Sequence, residues 1–188
     1  KREANRRVEK LHKIIEEAIA LGLVGAADSN VKVKIALDPE LAPVLVDKVQ
    51  IQQVIMNLVI NSSEAIGDKE GTVTITTKKL NADRSYLSFS RFTPDLPEGD
   101  YILFEVKDSG CGMDSETLPR IFDPFFTTKF TGRGLGLAAV LGIVKGHGGA
   151  LKVDSAKDEG TTFKILFPSH ESQKAPVPPD QLKAGDED

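Results

Sequence analysis

The stretch from Asp47 to Ile66 constrains this chain more than any other, because its pattern suits a long helix with two dissimilar faces. Asp47, with Gln50 three residues on, predicts an N-cap and capping box, and Gly67 supplies the C-terminal stop. At about 100° per residue, Ile51, Ile55, Leu58, Val59 and Ile66 share one face. Asn57 and Asn61 lie about 40° apart on the other, with Gln50, Gln53 and Glu64 close to Asn57. Such a helix must bury its apolar stripe against something.

The partner is a set of short β-rich runs. Val31–Leu37 alternates as VKVKIAL, Thr72–Thr77 reads TVTITT, and Tyr101–Val106 is rich in β-formers. Leu151–Val153 and Thr162–Phe167 predict two further strands, separated by the turn at Lys157–Gly160. Val44–Val46 is a short apolar run after Pro39 and Pro43. Lys1 to about Leu21 carries Val8, Leu11, Ile14, Ile15, Ala18 and Ile19 at helical spacing and predicts one amphipathic helix. A helical turn is expected near Glu116–Ile121 and a compact apolar helix at Leu137–Lys145. Asn81–Gly99 reads as an irregular connection. The sum is an α/β two-layer sandwich, a mixed sheet with helices on one face.

Composition narrows the class. A net charge of −4 offers no footprint for nucleic acid, so no such partner is expected. The single cysteine, Cys111, excludes an intrachain disulfide and fits a reducing compartment. No apolar run approaches the roughly 18–20 residues that span a bilayer, so a cytoplasmic domain without direct membrane contact is expected. The chain begins at Lys1 rather than Met and reads as a fragment. The tail after Pro168 carries three prolines and almost no large apolar residue, and reads as a disordered acidic linker over residues 169–188.

Three polar features admit both plain and functional readings. The amide stripe is a solvated helix face or a source of hard-oxygen ligands for Mg²⁺. Asp108-Ser109-Gly110-Cys111-Gly112-Met113, directly after a strand, is a capped turn or a site for a planar ring bearing an exocyclic amine. Gly132-Arg133-Gly134-Leu135-Gly136-Leu137 opens a helix, and is a surface loop or a phosphate-binding helix N-terminus flanked by Lys129 and Arg133. It is neither a P-loop, lacking Gly-Lys-Ser/Thr, nor a Rossmann fingerprint in a βαβ unit. Between the two glycine segments, Ile121–Lys129 holds Phe122, Phe125 and Phe126, which fill core or anchor a loop that closes over a ligand.

In order, these segments resemble the boxes of the family that joins gyrase-type ATPases, Hsp90 chaperones, histidine kinases and MutL proteins. Asn57–Asn61 looks like its N box, Asp108–Met113 its G1 box, Ile121–Lys129 the F box of histidine kinases, Gly132–Leu137 its G2 box and Glu159–Phe163 its last strand. The resemblance covers roughly Leu41 to Pro168 and implies a Bergerat-type fold binding ATP and Mg²⁺. Carried over by position, it implies that Asn61 is the metal ligand, supported by Asn57. Asp108 would accept from the adenine amine, directly and through water shared with Thr161. Gly110 and Gly112 would admit the ring, with Met113 packed near it. Gly132, Gly134, Leu135 and Gly136 would wrap the phosphates, with Lys129 and Arg133 on the lid, and Glu64, Thr128, Leu137 and Thr162 are further nucleotide-binding candidates. Asn57, Asn61 and Lys129 would carry the phosphoryl transfer. Glu64 departs from the basic residue often found at its position in histidine kinases.

Hydrolysing members of that family carry Glu where this chain has Asn57, an amide without useful basicity. The resemblance therefore implies a sensor histidine kinase catalytic domain over residues 13–168. His12, His147 and His170 lie in no acceptor-like motif, so the phosphoacceptor belongs on a separate dimerisation domain, to which residues 1–12 are the trailing connection. The implied partners are that domain and a response regulator receiver domain, with a homodimer in the full-length protein. A serine kinase of the same fold, or a nucleotide-binding module that only regulates, is the alternative.

Overall fold

The computed structural model describes residues 5–20, 30–88, 96–123, 126 and 136–170. Seven strands and four α-helices are present among them: β1 (Arg7–Glu9), α1 (Leu11–Ala20), β2 (Val31–Ala36), β3 (Val44–Val46), α2 (Lys48–Ile66), β4 (Gly71–Ala82), α3 (Arg84–Ser88), β5 (Gly99–Asp108), α4 (Gly136–Gly146), β6 (Ala150–Ala156) and β7 (Gly160–Pro168). A 3₁₀ turn at Leu118–Arg120 stands where the helical turn was expected.

β2, β4, β5, β7 and β6 form the main sheet in that order. β2 and β4 run parallel, and the other neighbours are antiparallel. Alternation decides what each strand shows. Ile102, Phe104 and Val106 of β5, with Phe163, Ile165 and Phe167 of β7, are buried in the main core on the helical side. α2 is the central helix, touching both α1 and α4.

Seven of its residues are buried: Ile51, Val54, Ile55, Leu58, Val59, Ser62 and Ile66. Five of these are β-branched Ile or Val, which are modest helix formers. Tertiary burial rather than propensity therefore holds α2, at roughly 1.5–3 kcal/mol for each large apolar side chain fully buried. Asp47 caps it as expected, with Oδ1 accepting from the N–H groups of Val49 (3.0 Å) and Gln50 (3.3 Å).

Three expectations are corrected. Arg7–Glu9 is not helical but pairs antiparallel with β3, Val8 opposite Leu45, and only Leu11–Ala20 forms the helix. The helical period ran through both segments because it registers spacing and not pairing partners. Where an irregular connection was expected from Asn81, β4 continues to Ala82 and α3 follows at Arg84–Ser88. α3 also places a helix on the second face of the sheet, where Leu87 and Tyr86 pack with Tyr101, Leu103, Ala150 and Leu166 in a separate small core. Beyond Pro168, Ser169 is buried and the His170 N–H donates to the Pro43 carbonyl at 2.9 Å.

Candidate nucleotide site

Asp108 and Thr161, two of the candidate side chains, lie where β5 and β7 run side by side. Val73, Asp108, Thr161 and Ser155 are cross-strand partners in a single row over β4, β5, β7 and β6. Asp108 and Thr161 share the strand face of Val106 and Phe163, so both look toward the helices, and they are 2% and 4% exposed. A carboxylate this buried requires donors. Oδ1 of Asp108 accepts from the N–H of Gly110 at 2.8 Å and of Thr161 at 3.3 Å. Asp108 is thereby held in place at the end of β5.

The loop after Asp108 is fastened on every side. The Ser109 N–H donates to the Thr72 carbonyl and its Oγ accepts from the Thr72 N–H. The Cys111 N–H donates to the Ala65 carbonyl at 3.0 Å, tying the loop to the end of α2. A Cβ on Gly110 would stand 2.7 Å from the Ala65 carbonyl carbon and 2.8 Å from its Cβ and oxygen. Gly112 has φ +65°, and a Cβ there would overlap the Ala156 carbonyl oxygen. Close approach of the chain to itself, besides any approach of a ring, thus demands both glycines.

Ser155 was not singled out from the sequence, where the strand was expected to stop at Val153. Its hydroxyl lies 2.8 Å from Thr161 Oγ1 and accepts from the Met113 N–H at 2.9 Å, joining the loop to the Asp108–Thr161 row. The signal was the continued alternation in LKVDSA. Ser62 was also missed: its side chain is fully buried, and Oγ has no hydrogen-bond partner among the described residues. A serine on the sheet side of a helix, beside Asn61, was the clue.

On the other side of α2, Asn57 Nδ2 donates to the Gly136 carbonyl at 3.2 Å. Residues 79 positions apart, one in the N box and one in the G2 box, therefore meet. Asn57 and Asn61 are both half-buried, whereas Glu64 is exposed. Leu137 packs against the main core. Ile121 and Phe122 are buried, and Arg120 stacks over the Phe126 ring at 4.5 Å, so two of the three phenylalanines anchor this segment. Phe125, Thr128, Lys129, Gly132, Arg133, Gly134 and Leu135 lie outside the described residues.

One candidate is displaced. Thr162 pairs with Lys107 and Asp154 on the strand face opposite Thr161, because successive side chains alternate across a sheet. Its side chain is removed from the Asp108 row.

For a divalent ion, the donor set fits partial coordination. Among the described residues no group of three or more His, Cys, Asp or Glu could hold a metal. The amide oxygen of Asn61 is a hard donor of the kind a divalent ion accepts, and such an ion would need most of its ligands from elsewhere. No helix among the described residues is long and apolar enough to cross a membrane.

Residues 46–171 match the family described as histidine kinase-, DNA gyrase B-, and HSP90-like ATPase, about two thirds of the chain. The sensor protein FixL of Bradyrhizobium diazoefficiens is 40% identical over 89% of this chain and 30% of its own length. The sensory histidine kinase/phosphatase NtrB of Rhizobium meliloti is 38% identical over 85% of this chain and 40% of its own. The chain thus spans less than half the length of these relatives. Among solved structures, the catalytic domain of the histidine kinase ThkA superposes with a TM-score of 0.65 at 27% identity, covering 88% of this chain and 96% of that one. A mycobacterial sensor histidine kinase, MprB, shares the fold at 22% identity and a TM-score of 0.67, over 87% and 97% of the two chains. This chain therefore belongs to the histidine kinase-, DNA gyrase B-, and HSP90-like ATPase family, with sensor histidine kinases among its relatives.

Proposed function

We propose that this domain binds Mg-ATP and donates the γ-phosphoryl group to a histidine on a separate dimerising domain, for relay to a receiver domain. The observation that carries this reading is Asn57, whose amide donates to the Gly136 carbonyl at the mouth of α4. An amide engaged this way cannot take a proton from water, so position 57 does not supply the base that the hydrolysing members of this family carry there. Transfer to a nucleophile supplied elsewhere is the chemistry that remains.

Asp108 accepts the adenine amine and Thr161 shares its water, over a floor that Ser155 fixes. Asn61 holds Mg²⁺ through its amide oxygen, and the ion supplies charge neutralisation at the phosphates. The N-terminal N–H groups of α4 face the phosphates, with Lys129 and Arg133 adding positive charge from the neighbouring segment. Catalysis is then mostly positioning and electrostatic stabilisation. The relatives' names, FixL and NtrB, support a partner of the two-component type. A further neighbour, ThkA bound to the response regulator TrrA, supports the receiver as the downstream acceptor. The segment that precedes β1 serves as the connection to the acceptor domain, the full-length protein being a dimer that works in the cytoplasm.

The test mixes the chain with a histidine-bearing dimerising domain and labelled ATP. Acid-labile, alkali-stable phosphate on that domain is expected, and Asn61→Asp should reduce it at least tenfold. Acid-stable phosphoserine would transfer the reading to a serine kinase. An undiminished rate in Asn61→Asp would remove the metal assignment.

A further inference from the structure

We propose that His147 is a positioning residue for the nucleotide site, which holds α4 in register along α2 through its bond with Asp47. The inference rests on the reading that nucleotide binds where Asn57 meets Gly136.

His147 directly follows α4, and the residue is 5% exposed. Nδ1 lies 2.7 Å from the Ile143 carbonyl oxygen, and Nε2 accepts from the Asp47 N–H at 3.1 Å. A carbonyl can only accept, so Nδ1 carries the hydrogen. A backbone N–H can only donate, so Nε2 is bare. The neutral Nδ1–H tautomer is therefore the one species that makes both bonds.

The position of this contact gives it leverage. Asp47 is ten residues before Asn57 on α2, and His147 is eleven residues after Gly136 on α4. At about 1.5 Å per residue these are matched spans of roughly 15 and 16 Å on two antiparallel helix segments. Asn57–Gly136 fastens one end and His147–Asp47 the other. One fastening lets a helix swing about it; two fix the axis. The axis of α4 sets where its first N–H groups aim, and hence where phosphate sits.

The same junction receives the segment that leads into β1. The Asn5 N–H donates to Asp47 Oδ2 at 2.9 Å, and the Arg6 guanidinium donates to the Gly146 carbonyl at the end of α4. The charged groups facing the ring are Arg6 from that segment and Asp47 from the cap of α2, while α4 presents the Ile143 carbonyl. Protonation would set an Nε2–H against the Asp47 N–H, donor against donor, and open the junction.

Mg-ATP titration of the 188-residue chain by calorimetry, with backbone amide hydrogen exchange, tests this. His147→Leu fills the space and cannot accept; it should weaken ATP binding about fivefold or more, within the usual range of coupling between sites. His147→Gln can accept without titrating; it should bind within about twofold of wild type at neutral pH. It should also lack the weakening expected of wild type as the pH falls through the native His147 value, which burial holds below the ordinary 6.5. Exchange at Asp47 and at Val140–Val144 should quicken together in His147→Leu. Unchanged ATP affinity in a folded His147→Leu overturns the positioning role. Exchange that quickens at Asp47 alone overturns the register argument, and does so without nucleotide. Wild type that binds no ATP overturns the functional reading instead, with the exchange result standing separately. Should His147→Leu not fold, retained acid weakening in His147→Gln overturns the proposal.

Discussion

Replacing Asp108 by Ala and by Asn should separate the structural role of this carboxylate from its proposed role toward adenine. Oδ1 satisfies the Gly110 and Thr161 N–H groups in a site where Asp108 is 2% exposed. Asp108→Ala orphans both donors, and at about 1–3 kcal/mol for an unsatisfied buried group the loss should be about 2–4 kcal/mol. For a chain of this size that lowers Tm by roughly 5–12 °C. Asp108→Asn keeps an oxygen for those donors, so its Tm should fall by less than about 3 °C. Its NH₂ would then face the adenine amine, donor to donor. Loss of one charge-assisted bond alone is about 1.5–3 kcal/mol, so ATP affinity should fall about 10- to 150-fold. The assays are thermal denaturation and calorimetric titration, repeated with a purine triphosphate lacking the 6-amino group. Wild type should discriminate strongly against that analogue, and Asp108→Asn should not. An Asp108→Ala protein as stable as wild type would refute the structural half. Wild-type ATP affinity in a folded Asp108→Asn would refute the assignment to adenine.

Other substitutions probe single contacts. Asp47→Ala removes the α2 cap and should lose about 1–2 kcal/mol in urea denaturation, whereas Asp47→Ser should recover most of it. Gly110→Ala overpacks against Ala65 and should lose about 1–3 kcal/mol. Adding Ala65→Gly should restore only part of this, because two of the three nearest atoms are Ala65 backbone; full recovery would contradict that geometry. His147 is held below its ordinary value of 6.5 chiefly by burial, with Arg6 acting in the same direction and the Ile143 carbonyl and Asp47 opposing. Its neutral form is the native one, so its stabilisation is complete above about pH 6.5 and declines as the pH falls toward the lowered native value. Denaturant midpoints should therefore drop more over that window in wild type than in His147→Gln.

What the sequence by itself determined was local. The spacing of Ile51, Ile55, Leu58 and Val59 and the cap at Asp47 marked α2, because a helix face and a helix end are written within a few residues. Alternation marked the main strands, and the ordered glycine segments pointed to the family. Tertiary structure decided the rest. Asn57 and Gly136 meet across 79 residues, and Asp47 and His147 across 100. Arg7–Glu9 carries a helical period yet pairs as a strand with Val44–Val46, since its partner lies far along the chain. Ser155 became part of the site only when β6 lay beside β7. Thr161 and Thr162, chemically alike and adjacent, were divided between the two sides of the sheet by register, which no window of sequence around them contains.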